Sequence, residues 1–126
     1  MKAKILLIDD DTLVLTSVSS LLKKHGYDVI EASDGPSAVE VVKDQEFDLI
    51  ICDIRMPSLD GLETVKQIRK ALEQLGRKRV TEMFLTGYTE RNIEKEAVQM
   101  GVAKYIYKPF DMAEFLSIVD KVVDHG

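Results

Sequence analysis

Ile5-Leu6-Leu7-Ile8-Asp9-Asp10-Asp11 is the stretch on which the fold turns. Four apolar residues stopped by three acids are too short for a membrane span or the apolar core of a signal peptide. They have the length of a strand buried on both faces, and such strands belong to parallel sheets covered by helices on either side. Four more apolar runs follow, at 27–32, 49–52, 83–85 and 103–107. Between them lie stripes with a period near 3.6. Leu13, Val14, Val18, Leu21 and Leu22 form the first, ending at Gly26, and Ala38, Val39, Val41 and Val42 the second, led in by Pro36. Leu62, Val65, Ile68, Leu72 and Leu75 precede Gly76; Ile93, Ala97 and Met100 precede Gly101. Met112, Phe115, Leu116, Val119, Val122 and Val123 complete the set. Glycine after a periodic stripe and proline in its first turn are helix stop and start signals. Five strand–helix units in succession predict an α/β fold, a doubly wound five-stranded parallel sheet with five helices on both faces. The fourth strand has the least defined start, because Val80-Thr81-Glu82 sets a carboxylate beside a run that should be central.

A chain of 126 residues has the size of one domain, read here as 1–126 with its core at about 4–123. No repeat, low-complexity segment or linker divides it. It is 45% hydrophobic and 31% charged, the balance of a soluble globular protein. Its net charge of −5, with no basic run longer than Arg77-Lys78-Arg79, argues against direct nucleic-acid binding. One cysteine, Cys52, excludes an internal disulfide and a multi-cysteine zinc site, and suits a cytoplasmic protein.

Ligands of open parallel sheets bind beyond the carboxyl ends of the strands. The first strand delivers Asp9, Asp10 and Asp11 there, the third Asp53, the fourth Thr86 and Gly87, and the fifth Lys108 and Pro109. Several carboxylates in one crevice cannot all stay ionised unless a cation joins them. With no Cys or His among them, the expected ion is hard and oxygen-liganded, Mg²⁺. Metal, carboxylate nucleophile, hydroxyl and lysine together describe phosphoryl transfer onto an aspartate.

Four segments, Ile8-Asp9-Asp10-Asp11, Asp53-Ile54-Arg55-Met56-Pro57-Ser58-Leu59-Asp60-Gly61, Leu85-Thr86-Gly87-Tyr88 and Tyr107-Lys108-Pro109-Phe110, resemble the signature blocks of response-regulator receiver domains. They come in the family's order, and the likeness runs from about Lys4 to Val123. The resemblance implies a flavodoxin-like sheet in the order 2-1-3-4-5. It implies Asp53 as phosphoacceptor and Asp9 and Asp10 as the metal pair, Asp10 ligating directly and Asp9 through water, with the backbone carbonyl of Arg55 as a further ligand. It implies Thr86 as the switch hydroxyl, Lys108 as the ammonium on a phosphoryl oxygen, a cis Lys108-Pro109 bond, and Tyr105 as an aromatic that turns inward on activation. The partners it implies are a sensor histidine kinase or histidine phosphotransfer protein and a downstream effector. Arg55 and Tyr88 would flank the path of attacking water and slow self-dephosphorylation. Lys104 stands where dimeric relatives carry an acid, and the last helix lacks their paired arginines, so a monomer or weak dimer is expected. No output domain follows Gly126, so the chain is read as acting alone, in relay or through a partner, or as an excised receiver.

Plainer roles are assigned beside these. Asp11, alone or sharing the role with Thr12, is expected to cap the first helix, and Asp60-Gly61 to turn and cap the third. Cys52 is expected to face away from Asp53 as a core thiol. His25 is placed at a helix end and His125 in a frayed tail, while Arg77-Lys78-Arg79 is read as a solvated loop. The chain is read first as a signalling protein that catalyses only its own phosphotransfer and slow dephosphorylation. Three other readings compete. A haloacid-dehalogenase-like phosphatase fits Asp9-Asp10-Asp11-Thr12-Leu13 with the wrong spacing and without a cap domain. A flavodoxin-like cofactor binder would meet three aspartates where it needs a phosphate cradle. A non-phosphorylated receiver-like interaction module would not need the full set of site residues.

Overall fold

The computed structural model describes residues 3–56, 59–87 and 91–125. Strands and helices alternate along it: β1 (Lys4–Ile8), α1 (Thr12–Lys24), β2 (Asp28–Ala32), α2 (Gly35–Asp44), β3 (Leu49–Asp53), α3 (Gly61–Gln74), β4 (Thr81–Thr86), α4 (Arg91–Gln99), β5 (Lys104–Tyr107) and α5 (Met112–His125). The strands pair in parallel in the order β2-β1-β3-β4-β5, the doubly wound sheet that the apolar runs and the resemblance predict.

Strand alternation divides the core between the two faces. Leu6, Ile8, Ile50, Cys52 and Phe84 pack against α2, α3 and α4 through Ala38, Val65, Ile68 and Ala97. Ile5, Leu7, Leu49, Ile51 and Met83 pack against α1 and α5 through Leu15, Leu22, Phe115 and Val119. Aspartates start three helices as N-caps: Asp11 accepts from the Leu13 amide at 2.9 Å, Asp34 from Ser37 at 2.7 Å and Asp60 from Glu63 at 2.8 Å. Gly26, Gly76 and Gly101 follow the ends of α1, α3 and α4 with φ of 98°, 69° and 80°.

The structure also corrects several expectations. β2 begins at Asp28, because Tyr27 turns its ring into the core below the strand and donates its hydroxyl to Asp120 of α5. The same Asp120 carboxylate lies 3.0 Å from Nε2 of His25, the C-cap of α1. β4 is longer than its apolar run and includes Glu82, which is buried between Arg69 and Arg79. Arg77 and Arg79 are therefore not simply solvated: Arg77 donates to the carbonyl of Val42, and Arg79 to Glu82 and to the carbonyls of Met100 and Gly101. Leu13, Leu75 and Met112, assigned to buried stripes, are more than half exposed, and Leu15 takes the core position on α1. α5 continues through His125, where fraying was expected.

Candidate functional site

Register brings the site together. Ile8 pairs with Cys52, so one step further Asp9 and Asp53 emerge side by side from β1 and β3. Asp53 pairs with Leu85 and Thr86 with Tyr107, so Thr86 and Lys108 emerge next along the same edge. The amide of Lys108 donates to the carbonyl of Thr86 at 2.7 Å, and the Lys108-Pro109 peptide is cis.

Asp9 and Asp53 are 2% and 6% exposed, whereas Asp10 is open to solvent. One oxygen of each of the three carboxylates lies within 4.8 Å of the other two. Lys108 joins the cluster, with Nζ 2.8 Å from Asp9 Oδ2 and 3.3 Å from Asp53 Oδ1. Asp9 Oδ1 accepts from the Asp11 amide at 2.9 Å, so both of its oxygens are engaged. Burial and then the charge of Asp9 push the Asp53 carboxyl up to about 6, against the opposing pull of Lys108. Burial would depress Lys108, but its hydrogen bond to Asp9 and the two carboxylate charges leave its pKa raised. A three-carboxylate donor set without nitrogen or sulfur fits a hard divalent cation, and the exposed Asp10 leaves such an ion a path in.

Cys52 is wholly buried on the face away from Asp53, and burial followed by the Asp53 charge lifts its pKa well above the usual thiol range, so it is no nucleophile. Tyr105 is half-buried between Phe84 and Tyr107, with ring centroids 6.3 and 5.3 Å away and both contacts edge-on. Arg55 is exposed just past Asp53, and Tyr88 lies outside the described residues. Sequence reasoning assigned Gly61 only to a turn. Its amide donates to the carbonyl of Ile54 at 2.7 Å, and a Cβ there would sit 2.3 Å from the carbonyl oxygen of Asp53. The signal was available in the spacing, since a glycine eight residues past a site aspartate can return the chain beneath it. Glu82 and its two arginines escaped for a different reason: nothing local marks which cation meets a buried acid.

An apolar groove of about 330 Å³ runs from Lys108 along Pro109, Phe110 and Met112 to Leu13, Val14 and Leu21 of α1. Its walls explain why Leu13 and Met112 are exposed. Among the described residues no helix is long and apolar enough to cross a membrane.

Comparison with known proteins locates this site in a family. The family model described as response regulator receiver domain matches residues 5–120. The chain is 36% identical over 121 residues to the transcriptional regulatory protein ZraR of Escherichia coli K12, covering 96% of this chain and 26% of that protein. It is 30% identical over 121 residues to sporulation initiation phosphotransferase F of Bacillus subtilis, covering 96% of this chain and 94% of the relative. Among solved structures, the receiver domain of sensor histidine kinase PA1611 from Pseudomonas aeruginosa, which holds a magnesium ion in its active-site cleft, superposes with a TM-score of 0.83 at 28% identity. That match covers 98% of this chain and 99% of the other. The chain thus spans about a quarter of the length of ZraR. A transcriptional regulator among the relatives leaves the expectation of no nucleic-acid contact without support.

Proposed function

This chain belongs to the response regulator receiver domain family of two-component signalling, and on that premise we propose that Asp53 is its phosphoacceptor. The observation that carries the reading is Lys108, which reaches Asp9 and Asp53 across a cluster of three carboxylates at the strand ends. In the proposed reaction an Asp53 oxygen attacks the phosphorus of a phosphohistidine. The P–N bond breaks, the imidazole leaves, and an acyl phosphate forms. Lys108 moves from its carboxylate partners to a phosphoryl oxygen, and the Thr86 hydroxyl donates to another. Asp10 and Asp53 would hold Mg²⁺ directly and Asp9 through water, with the Arg55 carbonyl as a further ligand. Bound there, the ion supplies neutralisation of the carboxylates and of the charge on the transferred group.

The donor proposed is a sensor histidine kinase or histidine phosphotransfer protein in the cytoplasm. The groove ending at Lys108 supports a docking floor for an apolar helix face that carries the phosphohistidine. Acceptance of phosphate is proposed to reset Tyr105 and the α4–β5–α5 surface for a downstream effector, with residues 1–126 acting as a single receiver domain. Arg55 and Tyr88 are proposed to slow hydrolysis, since neither orients water as a carboxylate or amide does.

The test is labelling by acetyl phosphate. Native protein with Mg²⁺ is expected to gain an acid-labile, hydroxylamine-sensitive phosphate that is lost in EDTA and in Asp53→Asn. Full labelling in either control would refute the assignment. Arg55→Asn is expected to shorten the phosphate lifetime after donor removal, and an unchanged decay would remove Arg55 from that role.

A further inference from the structure

We infer that Gly35 and Thr64, on α2 and α3, are positioning residues for Asp53, acting through Gly61. The inference rests on the phosphoacceptor reading above and adds to it residues that lie outside the carboxylate cluster. The contacts run in sequence. Gly61, first in α3, lies directly under the acceptor's peptide, where a Cβ would come within 2.3 Å of the Asp53 carbonyl oxygen and 2.9 Å of Ile54 Cα. Its amide donates to Ile54 O at 2.7 Å, tying the first turn of α3 to the end of β3. One turn along, Thr64 is completely buried, and its hydroxyl and its amide each donate to the carbonyl of Asp60 at 2.8 Å. Behind Thr64 stands Gly35, the first residue of α2. A Cβ at Gly35 would fall 2.4 Å from Thr64 Oγ1 and 2.9 Å from Leu59 Cβ. The backbone of α2 is thus seated against the Thr64 hydroxyl, that hydroxyl against the carbonyl before Gly61, and Gly61 against Asp53.

A purely local role makes different predictions. Threonine bonding back to the carbonyl four residues earlier is ordinary helix chemistry and slightly destabilising. Glycine in a helix is up to about 1 kcal/mol worse than alanine. On that account Thr64→Val would be near neutral or stabilising, Gly35→Ala would cost only its local clash with Thr64 and Leu59, and neither would reach the site. The packed sequence of contacts predicts instead that either change shifts Asp53 relative to Asp9 and Asp10. Mg²⁺ tolerates little departure from octahedral geometry. Loss of residues that orient metal ligands typically costs 10–100-fold in affinity.

The experiment titrates Mg²⁺ into native protein, Gly35→Ala, Thr64→Val and Thr64→Ser, by calorimetry and by amide shifts of residues 9–11 and 53–55, alongside thermal melts. Gly35→Ala and Thr64→Val are expected to bind Mg²⁺ at least about tenfold more weakly, and Thr64→Ser, which keeps the hydroxyl, within about twofold of native. In acetyl phosphate labelling the half-saturating Mg²⁺ concentration should rise by the same factor while the plateau at saturation is regained. Native affinity in Thr64→Val, or an equal loss in Thr64→Val and Thr64→Ser, would overturn the inference, as would a lowered plateau with unchanged half-saturation. Should Gly35→Ala fail to fold, the Val and Ser variants at position 64 decide the matter alone. Native protein that binds no Mg²⁺ would instead overturn the phosphoacceptor reading on which the inference stands.

Discussion

The attack on phosphorus proposed for Asp53 needs its ionised form, yet the residue is 6% exposed and shares its crevice with Asp9, so its carboxyl is pushed up to about 6 from 3.8. A carboxyl whose pKa is raised by folding stabilises the fold while it is protonated. That contribution is complete below about pH 3.8 and is lost as the pH rises through 6. The shift corresponds to roughly 3 kcal/mol between the two limits. Asp53→Asn, which does not titrate, is therefore expected to melt well above native protein at pH 7.5 without metal. Its advantage should shrink by about 2 kcal/mol at pH 4.5. Melts at the two pH values check this, and a gap that stays constant would show that the carboxyl is not perturbed. Lys108 is the group that pulls the same pKa down, so Lys108→Ala should raise it further. A carboxyl-carbon NMR titration reads that shift. In the same variant the response of α4 and β5 to beryllofluoride should be diminished, because the charge-assisted contact proposed for Lys108 on the phosphoryl mimic is gone.

β4 shows what an element owes to its neighbours. Glu82 is 1% exposed in a strand with a partner on each side, and it holds its place through Arg69 of α3, which meets both of its oxygens at 2.8 Å. Arg79 adds a third contact at 3.1 Å and carries on to the carbonyls of Met100 and Gly101 at the end of α4. Removing the arginine that pairs in both places leaves a buried carboxylate without its main counter-ion, so Arg69→Ala is expected to cost about 3–5 kcal/mol. Arg79 is half exposed, and Arg79→Ala should cost no more than about 1 kcal/mol. Urea melts of the two variants measure the difference, and equal losses would show that Arg69 has no special share in holding Glu82. The same strand marks the limit of what was legible beforehand. The strands announced themselves because burial on both faces leaves an apolar run, and Asp9, Asp53, Thr86 and Lys108 because a parallel sheet sends every strand end to one edge. Glu82 did not, since its burial depends on a guanidinium 13 residues away on another element. Leu13 and Met112 misled for the converse reason: they fit the helical period but wall a groove open to solvent.

Parallel topology places the N-terminus of each helix on the edge where the strands end, and this chain fills that edge with acids. Asp11, Asp34 and Asp60 cap α1, α2 and α3, and Asp111 accepts from the Glu114 amide at the start of α5. Asp9, Asp10 and Asp53 lie among them, so about a third of the acids of a chain with net charge −5 gather on the edge where the phosphoryl group is proposed to arrive. Caps and helix dipoles settle their own carboxylates, each satisfied by amides of its helix. Among the described residues Lys108 is the cation that meets Asp9 and Asp53, and one ammonium cannot balance the three negative charges of the cluster. The metal-free fold therefore holds a local repulsion between the ends of β1 and β3, which a divalent cation would relieve in the folded chain alone. A ligand at ten times its dissociation constant adds about 1.4 kcal/mol of stability. For a domain of this size that is a rise of roughly 4–6 °C in Tm. Mg²⁺ at that excess should produce such a rise at pH 7.5 and a smaller one at pH 5, where Asp53 holds its proton and competes with the ion. Asp10→Asn should abolish most of the effect while leaving the metal-free Tm equal to or above native. A rise of the same size in Asp10→Asn would mean that the ion stabilises the molecule elsewhere than at this cluster.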